Sequence, residues 1–292
     1  MYRVNFITKR SAFSSVFRRI GRLNERGSAS SGPAESFAAN PHNEGQEVVP
    51  GVRIWYVAHG ANSNYREEET VLTKADLDEF ASVRHVGVYR RSLATRAVLR
   101  KALSETVAGR VSPEGWRFER TINAQPILSN GENNLKFSCS HTTAMSVIAV
   151  STVGDVGIDI ADAALDFSSD WLLDVMSVRE LSALGKLSES KRGGAVSRLW
   201  TLKEAYVKML GTGIAEVADV AFDLSDDRLL SGGSNDRFAQ PVFRTWIVNN
   251  RGHRYSVALA SSRSVASHAP LSRRLSEGPI VYSRDKFPIF AG

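Results

Sequence analysis

The chain has 292 residues, 42% of them hydrophobic and 23% charged, with a formal net charge of +6 and a single cysteine, Cys139. One cysteine excludes an internal disulfide framework and a cysteine-based zinc cluster and fits a reducing compartment; no apolar run reaches the roughly 18 to 20 residues of a membrane span. The positive excess lies wholly in residues 1–26, where seven Lys and Arg stand against Glu25 alone, so residues 27–292 are neutral overall and nucleic acid is not an expected partner.

Residues 1–50 read as a flexible basic arm and a linker rich in small residues and proline. The arm lacks the apolar core of a secretory signal. Phe13, Val16, Phe17 and Ile20 follow a helical spacing opposite the arginines, as in an organelle presequence or a membrane-surface helix. A dispensable extension on a cytoplasmic protein is the simpler reading.

Val52 to Ala58, β-branched and aromatic, predicts a strand. Thr73 to Val83 predicts a short helix capped by Thr73. Tyr89 to Ser104 predicts an amphipathic helix with Leu93, Ala97, Val98, Leu99, Ala102 and Leu103 on one face. Arg90, Arg91, Arg96, Arg100 and Lys101 cover the remainder, either as a solvated face or as an anion site near the helix start. Trp116 to Thr121 alternates as a strand does, and a turn-rich stretch then leads to Leu135–His141. Thr143 to Ser151 and Val156 to Ile160 predict two strands paired as a hairpin, with His141 in a loop and Asp159 near the end of the neighbouring strand.

Ser168 or Ser169 is a candidate cap for a helix through Trp171, Leu172 and Val175. Glu180 falls in the first turn of the next helical segment, 177–187. A longer helix, about Ala195 to Leu210, ends at Gly211. Val217 to Leu224 reads as a strand, 225–236 as a loop, and Phe243–Val248 with Tyr255–Ala260 as a hairpin about the NNRGH turn. Residues 263–292 form a serine- and arginine-rich tail.

The densest chemistry is in WTLKEAYVKMLGTG, residues 200–213. On a helix Trp200, Glu204 and Lys208 share one stripe and Lys203 lies about 100° around from Glu204. Taken alone, Glu204 and Lys208 make an ordinary i,i+4 surface pair; Asp159 is a strand-end acid, His141 a loop histidine, and Glu180 a first-turn acid complementing the helix dipole. Taken together, two carboxylates on rigid elements suit a hard divalent ion completed by a substrate's phosphates, with lysines and arginines balancing the charge.

FSCSH, VGIDIAD and LWTLKEAYVKMLGTG resemble, in order, the FN(L/I)SH, (V/I)G(I/V)D(I/V)E and (F/W)xxKEAxxKxxGxG motifs of 4′-phosphopantetheinyl transferases of the surfactin-synthetase type. The steps from His141 to Asp159 to Glu204 are 18 and 45 residues, and the resemblance spans roughly residues 51–262. It implies an α+β fold of two similar α/β subdomains in a pseudo-dimeric single chain, with antiparallel sheets packed against helices. The expected division is 51–155 and 156–262, the second carrying the magnesium site. It further implies transfer of 4′-phosphopantetheine from coenzyme A to a serine of an acyl or peptidyl carrier protein, by a monomer acting with Mg2+.

By the same resemblance Asp159 and Glu204 are the magnesium ligands and Glu180 is the general base. Lys203 and Lys208 face the phosphates, Lys208 also stabilising the leaving group. Ser140 and His141 contact coenzyme A, and Arg91 matches a basic residue that binds its 3′-phosphate. Two departures stand out. Ala161 replaces a second acid of the GIDIE form, which Asp162 can supply only if the strand ends or bulges there. AQP replaces the usual GKP, putting Gln125 in place of a phosphate-contacting cation. These departures keep open an alternative, a catalytically impaired relative that binds coenzyme A or a carrier.

Overall fold

The computed structural model describes residues 45–59, 70–130, 134–166, 171–232 and 241–262; the basic arm, the candidate caps Ser168 and Ser169 and the tail lie outside them. The strands are β1 (Gln46–Val49), β2 (Val52–Ala58), β3 (Phe118–Arg120), β4 (Pro126–Leu128), β5 (Lys136–His141), β6 (Met145–Ser151), β7 (Val156–Asp162), β8 (Val220–Phe222), β9 (Leu229–Gly232), β10 (Val242–Asn250) and β11 (His253–Ser261). The helices are α1 (Lys74–Phe80), α2 (Val86–Thr106), α3 (Trp171–Val175), α4 (Val178–Gly185) and α5 (Glu189–Leu210). Two antiparallel sheets, in the orders β1-β2-β6-β5 and β10-β11-β7, are accompanied by two short hairpins, β3-β4 and β8-β9.

The fold is α+β, and its layers follow from period-two alternation in strands buried on both faces. In the first sheet Trp55, Val57, Ile148 and Val150 pack beneath α2. Their neighbours Ile54, Tyr56, Val147 and Ala149 point the other way and meet Ile158, Ile160, Val257 and Leu259 of the second sheet. The far face of that second sheet, with Ala161, Ala258 and Ala260, packs against α5. The resulting order is helix, sheet, sheet, helix, with one long helix for each sheet. Trp246 stitches the middle layer by donating to the Tyr56 hydroxyl at 2.7 Å.

The predicted β6–β7 hairpin does not form. β6 pairs with β2 and β5, whereas β7 pairs only with β11, because residues 152–155 carry the chain from one sheet to the other. β5 and β7 are the edge strands that face each other across this junction, and serine hydroxyls join them in place of a backbone ladder. Ser138 Oγ accepts from Ile158 N at 3.1 Å. His141, expected in a loop, is the last residue of β5 and lies opposite Ser146.

Three further segments differ from the sequence reading. Residues 46–49, read as linker, form β1 against β2. The strand expected at 217–224 shortens to β8, after a 3-10 turn over Ile214–Asp219, and β9 forms within the expected loop. Arg96 and Arg100 of α2 are buried rather than solvated. Both bind the capping-box acid of α1, Asp76, at 2.7 Å, and Arg96 lies 4.1 Å from the Phe118 ring centroid. Burial alone would raise the Asp76 carboxyl pKa; its bonds to Thr73 and the two guanidinium groups carry it below the ordinary value.

Candidate active site

Gly157, Asp159 and Ala161 alternate onto the face of β7 that meets α5. A Cβ at Gly157 would lie 1.9 Å from the Ala205 carbonyl oxygen and 2.5 Å from Met209 N. The absent side chain therefore lets the helix backbone rest on the strand, which sets the distance between Asp159 and the charged stripe of α5. Among the described residues this is the clearest positional requirement that reading the motif for its charges alone overlooks.

The helix contributes Glu204 and Lys208. Lys208 Nζ donates to Asp159 Oδ1 at 2.6 Å and lies 3.9 Å from Glu204 Oε2. Glu204 is 8% exposed, and its Oε1 is buried without a hydrogen-bond partner. Burial, with a smaller push from Asp159 and against the pull of Lys208, moves the Glu204 carboxyl up to about 7. Burial lowers the Lys208 pKa, but Asp159 and then Glu204 raise it, and the net is above the ordinary lysine value. Asp159, Glu204 and Lys208, expected together, form one cluster.

From β5, Ser140 Oγ donates to the same Asp159 Oδ1 at 2.6 Å, so this hydroxyl fixes the carboxylate. His141 is exposed next to it. Surrounding atoms first, then the charges of Lys208 and Arg91, hold its imidazole below the ordinary pKa, while Asp159 works in the opposite sense. Arg91 therefore belongs to the same electrostatic neighbourhood, and its Nε is buried without a hydrogen-bond partner. His59 at the end of β2, which the sequence reading overlooked, meets Ser146 Oγ at 2.7 Å. Its pKa falls to about 3 through burial, then Arg91 and His141. That Ser146 hydroxyl also meets Thr95 Oγ1 on α2 at 2.8 Å, so a buried polar chain runs beneath Arg91.

Glu180 and Lys203 form a separate pair. Lys203 Nζ lies 2.8 Å from Glu180 Oε2, with both side chains at 0% exposure, and also donates to Val175 O at 2.6 Å. Glu180 Oε2 accepts from Ser177 N at 2.7 Å and Oε1 from Phe222 N at 2.9 Å. Burial lowers the Lys203 pKa and Glu180 only partly restores it. Neither side chain meets solvent, and the pair ties α5 to the start of α4 and to β8, about 100° around the helix from Glu204.

The two departures also acquire positions. β7 keeps an unbroken register against β11 through Ala161 and Asp162. Asp162, the last residue of the strand, is still in that register without a bulge, so it faces away from Asp159 and does not stand where the missing acid would. Burial raises its pKa and His253 lowers it. Gln125 Nε2 donates to Lys208 O at 2.8 Å, so its amide engages the helix end. A cleft of ≈ 290 Å³ opens here, lined by Gln125, Pro126, Phe137, Cys139, Glu204 and Lys208 among others. Cys139 is a half-buried thiol whose pKa burial pushes up to about 12.

The donor set suits a hard divalent ion held by two protein carboxylates. Glu204 Oε1 is a buried acceptor in need of a partner, and carboxylate oxygen is the ligand that magnesium prefers. Among the described residues no group of three His, Cys, Asp or Glu converges to enclose a metal, and an ion held by two carboxylates would complete its shell from water or substrate.

Paired carboxylates and a lysine at the junction of two sheets are a charge pattern suited to phosphoryl-bearing ligands. Residues 155–260 match the model of the 4′-phosphopantetheinyl transferase superfamily. Over that segment the protein is similar to members of that superfamily. It is 30% identical over 139 residues to the 4′-phosphopantetheinyl transferase HetI of Nostoc sp., covering 47% of this chain and 58% of that protein. It is 31% identical over 198 residues to an L-aminoadipate-semialdehyde dehydrogenase-phosphopantetheinyl transferase of Eremothecium gossypii, covering 64% and 66%. To the Homo sapiens protein of the same name it is 25% identical over 210 residues, covering 66% and 65%. The chain thus spans less than two thirds of the length of each of these relatives. No helix among the described residues is long and apolar enough to cross a membrane.

Proposed function

We propose that the protein transfers 4′-phosphopantetheine from coenzyme A to a serine of an acyl or peptidyl carrier protein, leaving 3′,5′-ADP. The observation that carries this reading is the convergence of Asp159 and Glu204, from two motifs 45 residues apart, on one lysine at the sheet junction. Asp159 and Glu204 would hold Mg2+, which when bound neutralises pyrophosphate oxygens and fixes their orientation. Ser140 orients Asp159. Lys208 faces the charge that builds on the departing 3′,5′-ADP, while Arg91 and His141 receive the nucleotide phosphate. The serine oxygen bonds to the phosphorus that carries the pantetheine arm as the bond to 3′,5′-ADP breaks. With Glu204 committed to the metal and Glu180 closed off from solvent in its pair with Lys203, the serine proton leaves to water. Glu180 and Lys203 hold α5 in place.

The test is modification of apo carrier proteins by unlabelled coenzyme A, read as a mass increase of about 340 Da, the mass of the group that serine attack would transfer. Asp159→Asn and Glu204→Gln are expected to abolish modification. Near-normal modification by either variant would remove the site from the reaction. The alternative of an impaired relative draws on Ala161; coenzyme A binding without any 3′,5′-ADP release from the natural chain would select it.

A further inference from the structure

The last four carbonyls of a helix lack i+4 partners within it, and Lys208 belongs to the final turn of α5, where its carbonyl accepts a long 3.2 Å bond from Gly211 N. That turn is tied off from outside. Gln125 Nε2 donates to Lys208 O and Asn123 Nδ2 donates to Gly211 O, each at 2.8 Å. Both amides project from the tip of the β3–β4 hairpin, whose strands have three residues each and pair only with one another.

The tip is built for this reach. Thr121 N donates to Gln125 O and Ala124 N to Thr121 O, both at 2.9 Å, and Ala124 takes a left-handed φ of 61°. The helix end is shaped to receive it. Gly211 turns left-handed at φ 71° and leaves room for Gln125 Oε1, which would lie 3.2 Å from a Cβ there. A Cβ added at Gly213 would lie 3.5 Å from Asn123 Cβ. Complementarity on both sides, with two separate carbonyls satisfied, distinguishes a fitted clip from a chance contact.

We propose that Asn123 and Gln125 are positioning residues that act through Lys208: the hairpin tip ties off the final turn of α5 and so fixes the ammonium between Asp159 and Glu204. The hairpin belongs to the half of the chain that precedes β5, and α5 to the other half, so the clip registers the two halves at the reacting centre. Gln125 then acts on turnover through the helix rather than on coenzyme A through a direct phosphate contact. The proposal rests on the transferase reading for its kinetic consequence but not for its structural one.

The test uses the full chain with Asn123→Ala and Gln125→Met, singly and together. Both residues lie at the partly exposed rim, and neither change adds charge. Amide hydrogen exchange without substrates should accelerate about tenfold or more across residues 207–213 and stay unchanged in β6 and β11. In steady state kcat should fall roughly 10- to 100-fold, the scale of a small misplacement, while KM for coenzyme A stays within about twofold. In a Lys208→Ala background the same changes should cost little more, since effects through one group do not add. A raised KM with kcat kept would show direct substrate contact and overturn the proposal; unaltered exchange, or full additivity with Lys208→Ala, would overturn it too. Should the natural chain transfer nothing, the transferase reading falls and the exchange result decides the clip by itself.

Discussion

Replacing Lys203 by Met separates anchoring from chemistry in the buried pair with Glu180. The substitution leaves a carboxylate at 0% exposure with only two backbone donors, Ser177 N and Phe222 N, and deprives Val175 O of its ammonium donor. Breaking a buried pair from one side costs about 3–5 kcal/mol. At roughly 2–4 °C per kcal/mol for a domain of this size, Tm should drop by about 6–20 °C. Glu180→Gln should be destabilising in its turn, and the Glu180→Gln, Lys203→Met double variant should be more stable than the sum of the two losses implies, with a coupling of ~1–3 kcal/mol. Differential scanning calorimetry supplies Tm, and carrier labelling well below Tm supplies kcat for the folded fraction. An anchor predicts kcat within a few-fold of the natural chain in Glu180→Gln at low temperature. A loss of roughly 10²–10⁴-fold, the worth of a general base, with Tm intact would refute the anchoring argument and restore Glu180 to the chemistry.

Gly157→Ala should lower stability by about 1–3 kcal/mol through overpacking and depress kcat as α5 lifts from β7; an unaltered melting curve would show that the helix does not rest on the strand. Burial raises the Glu204 pKa to about 7, so its contribution to stability is complete below the ordinary carboxylate pKa and is lost as pH rises through 7. Magnesium favours the ionised form, so saturating Mg2+ should raise Tm more at pH 8 than at pH 5.5, and Glu204→Gln should erase the difference; an equal rise at both pH values would disconnect the metal from Glu204. Ala161→Glu puts a third acid on the Asp159 face of β7. It should lower the Mg2+ concentration for half-maximal labelling about tenfold, while reducing Tm in the absence of metal because a buried carboxylate enters an apolar cluster.

Much of the architecture was legible because β-branched runs and helical spacings are local signals. Val52–Ala58, the hairpin about NNRGH and the Gly211 stop all depend on residues adjacent in sequence. Pairing of β6 with β7 was misread because a short turn between two apolar strands is the usual mark of a hairpin, and nothing local announces a change of sheet. The burial of Arg96 and Arg100 was hidden for a related reason: their partner, Asp76, lies on another helix, and its capping position disguised its pull on both guanidinium groups. At the site, Asp159, Glu204 and Lys208 were marked by motif chemistry. Gly157 carried a signal that went unused, a glycine two residues before a functional acid on one strand face. His59 and Asn123 carried none, since each acts through partners more than 80 residues away.

The position of the cluster follows from the edge strands. Where β5 and β7 abut without a ladder, β7 exposes backbone donors to side chains, and the alternation of FSCSH supplies two hydroxyls on one face: Ser138 for Ile158 N and Ser140 for Asp159. A continuous sheet would have consumed those groups in backbone pairing and left no opening between the halves. With Asp162 directed away and Ala161 bearing no side-chain oxygen, the carboxylates that meet Lys208 reduce, among the described residues, to Asp159 and Glu204. One oxygen of Asp159 already serves both Ser140 and Lys208, whereas Glu204 Oε1 is a buried acceptor without a hydrogen-bond partner. Placement of Glu204 thus depends on all three constraints on α5: Gly157 beneath it, the Glu180–Lys203 pair beside it and the hairpin at its end.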